Sequence, residues 1–249
     1  MRPQLVTTLS DRSMAANRQP TLSLIIPVHN EEEVLEQQTR KLVEYVQSLM
    51  EKFEVLFVEN GSTDQTSHII EKLQKHFSFI RLIRLRKADY STAVIKGVKA
   101  ARGKYSIVMG IDYVDLEVLN RCLCALEEHD IVICSKNKGV DKRPFMSRLA
   151  NQCYNKLAKL FFGLKYSDME GYHGYNTRKI QKIIDDVKTK AHLCNLWVLL
   201  KARKVGLKVA EVPLIVYERR KSKFMTIARL PYLAVISLIE FIKLKCKGY

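Results

Sequence analysis

Short polar stretches follow apolar, β-favouring runs along this chain, and they hold most of its candidate chemistry. The first is His29-Asn30-Glu31, which comes after LSLIIPV, where Pro27 ends the run. The second starts at Glu59 and Asn60, after EVLFV, and continues through Gly61 and Ser62 to Asp64. A third holds Asp89, and a fourth, after YSIVMG, holds Asp112 and Asp115. The His29 to Glu31 loop offers polar groups where a base and a ribose could lie, and the Glu59 carboxylate can accept a base N–H. No G-x-G-x-x-G or P-loop pattern occurs, which argues against a dinucleotide-binding dehydrogenase or a P-loop NTPase.

These loops can meet only if the strands before them lie side by side. The run at 22–28 is almost wholly apolar, as expected of a strand covered on both faces in a parallel sheet. Glu31 to Glu33 then open a segment with Leu35, Leu42, Val46 and Leu49 at helical spacing, and acidic residues suit a helix amino terminus. A second strand at 54–59 leads to Asp64, a candidate helix cap, and to Ile69, Ile70 and Leu73 on one helix face. Strands are expected at 79–85, 105–110 and 130–134, with a helix turning Ala93, Val94, Gly97, Val98 and Ala101 inward. Further helices fit 116–127, 144–162 and 193–204. This alternation predicts an α/β fold with a mostly parallel sheet flanked by helices. Ligands gather at the carboxyl ends of such strands, so the loops at 29–31, 59–64, 86–91 and 110–115 should converge.

A chain of 249 residues with 47% hydrophobic content supports one good-sized core, which favours one domain over two. Its 42 Lys and Arg against 26 Asp and Glu leave a net charge of +16, a surface that attracts phosphates of a nucleotide-sugar, a lipid or a nucleic acid. The cations are spread along the chain and no nucleic-acid motif is present, which weighs against nucleic acid. Cys122, Cys124, Cys134, Cys153, Cys194 and Cys246 lack C-x-x-C pairs and mostly sit in apolar runs, pointing to a reducing cytoplasm. Residues 1–20 read as a flexible polar tail without a secretory signal.

IIPVHNEE, VENGSTDQT and KADYSTAVIKGVKAARGKYSIVMGID resemble, in order and spacing, the family 2 glycosyltransferases. The likeness is nearest to their dolichol-phosphate mannose synthase-like, polyprenyl-phosphate glycosyltransferase branch. It continues through SKNKGVDKRPFMSRLANQCYNKLAKLFFGLKYSD to VGLKVAEVPLIVYERRKSK, covering residues 22–224. The resemblance implies a GT-A-like (Rossmann-like) domain over 21–223. It also implies inverting transfer of a sugar from a UDP- or GDP-sugar, with Mg2+ or Mn2+, to a polyprenyl (dolichyl-type) phosphate. Donor-binding roles fall to Pro27, His29, Asn30, Glu31, Glu59, Asn60, Asp89 and Gly110. Glu59 stands where the family has the first Asp of its D-D-G-S stretch, and Asn60 replaces the second acid.

The chain departs from the family's D-x-D, reading Gly110-Ile111-Asp112. Asp112 is then the expected catalytic and metal or diphosphate contact, with Asp115 as a replacement metal ligand. A cation held so sparsely leans on water and the donor, which Mg2+ tolerates. The alternative is a descendant that binds without turnover. Lys136, Arg143, Arg219, Arg220 and Lys223 match family positions for phosphate-facing cations, where fixed charge would act on the leaving diphosphate. Asp168, in YSDMEGYHGY, matches a family acid near the acceptor and is the candidate to position or deprotonate it, although an ionised lipid phosphate needs no base. His173 is expected to be structural or on the surface rather than catalytic, Trp197 to be core or acceptor-groove lining rather than a sugar platform, and Cys194 to Trp197 stand where the family has an acidic stretch.

Residues 224–249 form the last segment, with LPYLAVISLIEFI edged by Arg229, Lys243 and Lys245. It is shorter than the ~20 apolar residues a spanning helix needs. An apolar stretch edged by cations can lie in a lipid headgroup interface or form an ordinary helix packed on the sheet, and the high positive charge favours the first, so peripheral contact with the inner face of a membrane is expected.

Overall fold

The computed structural model describes residues 19–111, 115–184, 193–216, 230–246 and 248. The expected tail, Asp112, Arg219, Arg220 and Lys223 therefore lie outside the described residues, apart from the tail's last two positions. Seven strands, β1 (Leu22–Val28), β2 (Phe53–Asn60), β3 (Ile80–Leu85), β4 (Tyr105–Val108), β5 (Ile131–Asp141), β6 (Tyr172–Asn176) and β7 (Val209–Val216), form one sheet ordered β3-β2-β1-β4-β6-β5-β7. All run parallel except β6, which is antiparallel to β4 and β5. The helices are α1 (Leu35–Leu49), α2 (Thr66–His76), α3 (Tyr90–Ala100), α4 (Glu117–Leu126), α5 (Phe145–Phe162), α6 (Thr177–Ile184), α7 (Cys194–Lys204) and α8 (Leu230–Cys246).

The central strands are apolar throughout because both faces are covered. Leu24, Ile26, Val55 and Phe57 enter one core with α1, α2 and α4, while Ile25, Leu56 and Val58 enter the other with α3, α5, α6, α7 and α8. Each such side chain contributes ~1.5–3 kcal/mol by leaving water. On the second face Phe241 of α8 sits between Tyr154, Phe161 and Phe162 of α5, with ring centroids 5.6, 5.6 and 5.3 Å away. Among the described residues no helix is long and apolar enough to cross a membrane.

The sheet is larger than the apolar runs predict. β5 continues past Cys134 to Asp141, through a register shift between Ser135 and Val140, although its SKNKG stretch is polar. β7 contains Pro213, which costs a ladder hydrogen bond, and it is tolerated because β7 is an edge strand. β6 is short, with Gly174 at its centre. A side chain at Gly174 would collide with Cys122 Sγ at 2.3 Å, so α4 rests directly on the β6 backbone.

Candidate functional site

The loops after β1, β2 and β3 interlock through hydrogen bonds between residues far apart in sequence. His29 Nδ1 lies 2.9 Å from the Asn60 carbonyl, and the Asn30 N–H donates to Ser62 Oγ at 3.1 Å. Asn30 Oδ1 accepts from the Thr63 N–H at 2.9 Å, and the Glu31 N–H donates to Thr66 Oγ1 at 2.8 Å. Asn60 Oδ1 accepts from the Asp89 N–H at 2.7 Å, which draws in the third loop. Asp89 caps α3 by accepting from the Thr92 N–H at 3.0 Å. The structure thus brings His29, Asn30, Glu31, Glu59, Asn60 and Asp89 together.

Two backbone features permit this closeness. Asn30 adopts φ 55°, a left-handed conformation that asparagine tolerates. Gly61 has φ 69°, and a Cβ there would lie 3.0 Å from the Ala88 backbone nitrogen. Glu59, buried at the end of β2, accepts from the Ser62 N–H and so fixes the turn. Asp64 stands one residue before the N-cap Gln65 and accepts from the N–H of Thr66, the first residue of α2, at 2.9 Å and from the Glu32 N–H at 3.3 Å, bracing one loop on the other. β4 pairs Val108 with Ile25 of β1, so Gly110 follows at the level of Pro27 and joins the same edge.

Asp115 is already engaged. Its Oδ2 accepts from Arg121 at 2.7 Å and from the Ile215 N–H at 3.1 Å, which ties α4 to β7. Among the described residues no group of three or more His, Cys, Asp or Glu is placed to hold a metal ion. Arg143 forms a fork with Asp141, at 2.9 Å from Nε and 2.7 Å from NH2. Burial opposes ionisation of Asp141, and the Arg143 guanidinium with its backbone N–H holds the carboxyl below the usual range.

Lys136 and Asp168 find each other. Asp168 is 0% exposed, and its Oδ2 accepts from the Lys136 N–H at 3.0 Å and from Lys136 Nζ at 2.9 Å. Its Oδ1 accepts from the Glu170 N–H at 3.0 Å and from Asn155 Nδ2 at 3.4 Å. Burial works against ionisation here, but the Lys136 charge and these donors hold the Asp168 carboxyl below the usual range. Lys136 spends a further bond on the Glu170 carbonyl at 2.8 Å. The cation expected to face phosphate is therefore neutralised inside the protein by the acid expected near the acceptor.

Sequence reasoning missed three residues around this pair. Asn155 of α5 receives the Met169 N–H at 2.8 Å and so shapes the 168–171 turn. Tyr154 and Glu170 face each other, and the buried Tyr154 hydroxyl and Glu170 Oε1 have no partner except one another. Burial, with Asp168 adding to it, pushes the Glu170 carboxyl up to about 8. The signal was an acid set between Met169 and Tyr172 in an otherwise aromatic segment. His173 is buried beside them, and burial, against the Asp168 charge and the Met169 backbone, lowers it to about 4, so it is neutral near pH 7. Trp197 is a core residue. A cavity of about 520 Å³ lined by Lys104, His129, Asp130 and Lys179 opens at the opposite, amino edge of β4 and β5, away from all of these loops.

A mostly parallel sheet whose carboxyl-edge loops cross-brace acids and amides from β1, β2 and β3 is an arrangement in which α/β folds gather ligands. The chain belongs to glycosyl transferase family 2, whose family model matches residues 23–184. Glycosyltransferase AglD from Haloferax volcanii is 25% identical over 201 residues, which are 77% of this chain and 32% of that protein. The chain thus spans about a third of that relative's length. Glucosyl-3-phosphoglycerate synthase from Mycobacterium tuberculosis, in complex with Mn2+, UDP and glucosyl-3-phosphoglycerate, has the same fold with TM-score 0.65 and 14% identity, covering 97% of this chain and 86% of that one. Mannosyltransferase PcManGT from Pyrobaculum calidifontis, in complex with GDP-Man and Mn2+, gives TM-score 0.60 at 14% identity, covering 90% and 65%.

Proposed function

We propose that this chain transfers a sugar, with inversion, from a UDP- or GDP-sugar to the phosphate of a polyprenyl-type lipid at the cytoplasmic face of a membrane. The donor half rests on the interlocked loops, where Glu59 and the residues around Asn60 would receive the base and ribose. Similar folds bind UDP with Mn2+ and GDP-Man with Mn2+, which supports a divalent cation here as well. With Asp115 held by Arg121, the chain's ligand for Mg2+ or Mn2+ reduces to Asp112, and the donor diphosphate and water would complete the shell. Arg219, Arg220 and Lys223 are proposed as cations that meet the diphosphate.

One observation supports the acceptor half. Met146, Leu149, Leu157 and Leu160, at spacings of three, eight and three residues, fall on one exposed face of α5, and Leu160 is 79% exposed. Val235, Leu238, Ile239 and Ile242 form a second exposed stripe on α8, which packs on α5 through Phe241. Lys156, Lys159, Lys243 and Lys245 lie on the same two helices. Exposed apolar stripes accompanied by lysines fit an anionic bilayer surface, where buried carbon and headgroup charge act together.

The test combines calorimetry with vesicle sedimentation. Titration with UDP- and GDP-sugars, with and without Mg2+ or Mn2+, is expected to show metal-dependent binding that Asp112→Ala abolishes. Binding that ignores both metal and Asp112, without turnover, favours the inactive-descendant reading. Leu160→Glu with Ile239→Glu is expected to release the protein from phosphatidylglycerol vesicles, and unchanged sedimentation would remove the membrane half.

A further inference from the structure

Two acids in the 168–171 turn sit two residues apart and are treated differently by the fold. β6 runs antiparallel, with Tyr172 opposite Cys134 and His173 opposite Val108, so the turn before it stands at the carboxyl edge of β4, beside Gly110. Asp168 takes the Lys136 charge and three further donors. Lys136 Nζ reaches the Glu170 carbonyl rather than its carboxyl, and the buried Oε1 has only the neutral Tyr154 hydroxyl near it. The Tyr154 hydroxyl likewise has no partner but that carboxyl. A buried carboxylate with no charged partner is costly, so Glu170 retains its proton. Like Tyr154, it then has an O–H to give.

We propose that Glu170 and Tyr154 form the acceptor subsite, donating two neutral hydrogen bonds to oxygens of a phosphate monoester. This rests on the phosphate-acceptor reading above. A carboxylic acid kept un-ionised can stabilise an oxyanion, whereas an ionised one would repel it. Burial and Asp168 favour protonation of Glu170, while Lys136, already paired with Asp168, and the Tyr154 hydroxyl oppose it; Tyr154, Tyr90 and Cys194 stay neutral, Cys194 being pushed up to about 12 by burial. Glu170 is half-buried as a residue, which leaves an approach from solvent. The Tyr154 ring also lies 5.6 Å from Phe241 of α8, so the subsite stands directly behind the apolar α5 and α8 stripes.

The experiment uses the full chain with dodecyl phosphate in phosphatidylcholine vesicles and phenyl phosphate in solution as probes. Glu170→Ala and Tyr154→Phe are each expected to raise the acceptor KM about tenfold or more, the range for one hydrogen bond to a charged partner, with donor-sugar affinity unchanged. Glu170→Gln keeps a donor, so it is expected to restore part of the loss and to remove the fall in activity above pH 8 expected of the native residue. Gln as damaging as Ala would overturn the donor role. A readout independent of turnover is the 13C carboxyl titration of Glu170, whose midpoint should rise when either phosphate ester binds. No shift with either ester sinks the subsite even if donor sugar still binds. Shift and turnover with phenyl phosphate equal to those with vesicles would keep the subsite and remove the lipid reading.

Discussion

The Lys136–Asp168 pair offers a quantitative test of whether this acid holds the fold or acts in the reaction. Replacing Asp168 by Ala strands a lysine that is 7% exposed with only the Glu170 carbonyl, and removes the acceptor for two backbone N–H groups. Leaving a buried charge uncompensated costs about 3–5 kcal/mol. Lys136→Met is milder, about 2 kcal/mol, because Asp168 keeps the Lys136 and Glu170 N–H groups and Asn155. The double variant, Lys136→Met with Asp168→Leu, should recover part of the sum, giving a coupling of about 1.5–3 kcal/mol in urea unfolding at pH 7. Additivity within about 0.5 kcal/mol would refute the pairing. Because the folded Asp168 titrates below 3.8, its contribution is complete above about pH 4 and is lost as pH falls through the lower folded value. Lys136→Met should flatten that acid limb. If stability recovers in the double variant and transfer does not, Asp168 also has a chemical role.

Gly61→Ala must hold an alanine at φ 69° against the Ala88 backbone, so a loss of about 1–2 kcal/mol in thermal unfolding and weaker nucleotide binding by calorimetry are expected; an unaltered melting curve would contradict the loop packing. Glu54 is buried and accepts from Ser23 Oγ at 2.6 Å, the Arg102 N–H at 2.7 Å and Arg81 at 2.6 Å, so Glu54→Gln should cost about 2–3 kcal/mol by chemical denaturation without changing donor affinity. His173, lowered from 6.5 to about 4, contributes a stability that is full above 6.5 and declines as pH falls towards 4, by up to about 3 kcal/mol; His173→Phe should abolish that decline in pH-dependent melts. Glu170 is raised from 4.5 to about 8, so the native state weakens as pH rises through that window, and Glu170→Gln should be the more stable protein at pH 8.

The strands and loops of the first half were legible because their signals are local. LSLIIPV and EVLFVE are buried on both faces and read as such, and the loops after them had to meet once the strands were parallel. What could not be read was pairing across distance. Lys136 and Asp168 each looked like a free charge, since nothing in a linear sequence tells that β5 and the 168–171 turn stand 2.9 Å apart. β6 escaped notice because its glycine and polar residues weaken the alternation, and β7 because a proline is admissible only at an edge. Yet β6 is the strand that reverses direction, and that reversal carries Asp168 and Glu170 to the carboxyl edge, where the loops after β1, β2 and β3 also stand. Had β6 run parallel, its amino end would lie at the far edge with Lys179 and Asp130. The single antiparallel strand is therefore what places both acids at the edge of those loops, and the difference between a charged Asp168 and an un-ionised Glu170 follows from one lysine whose charge goes to Asp168.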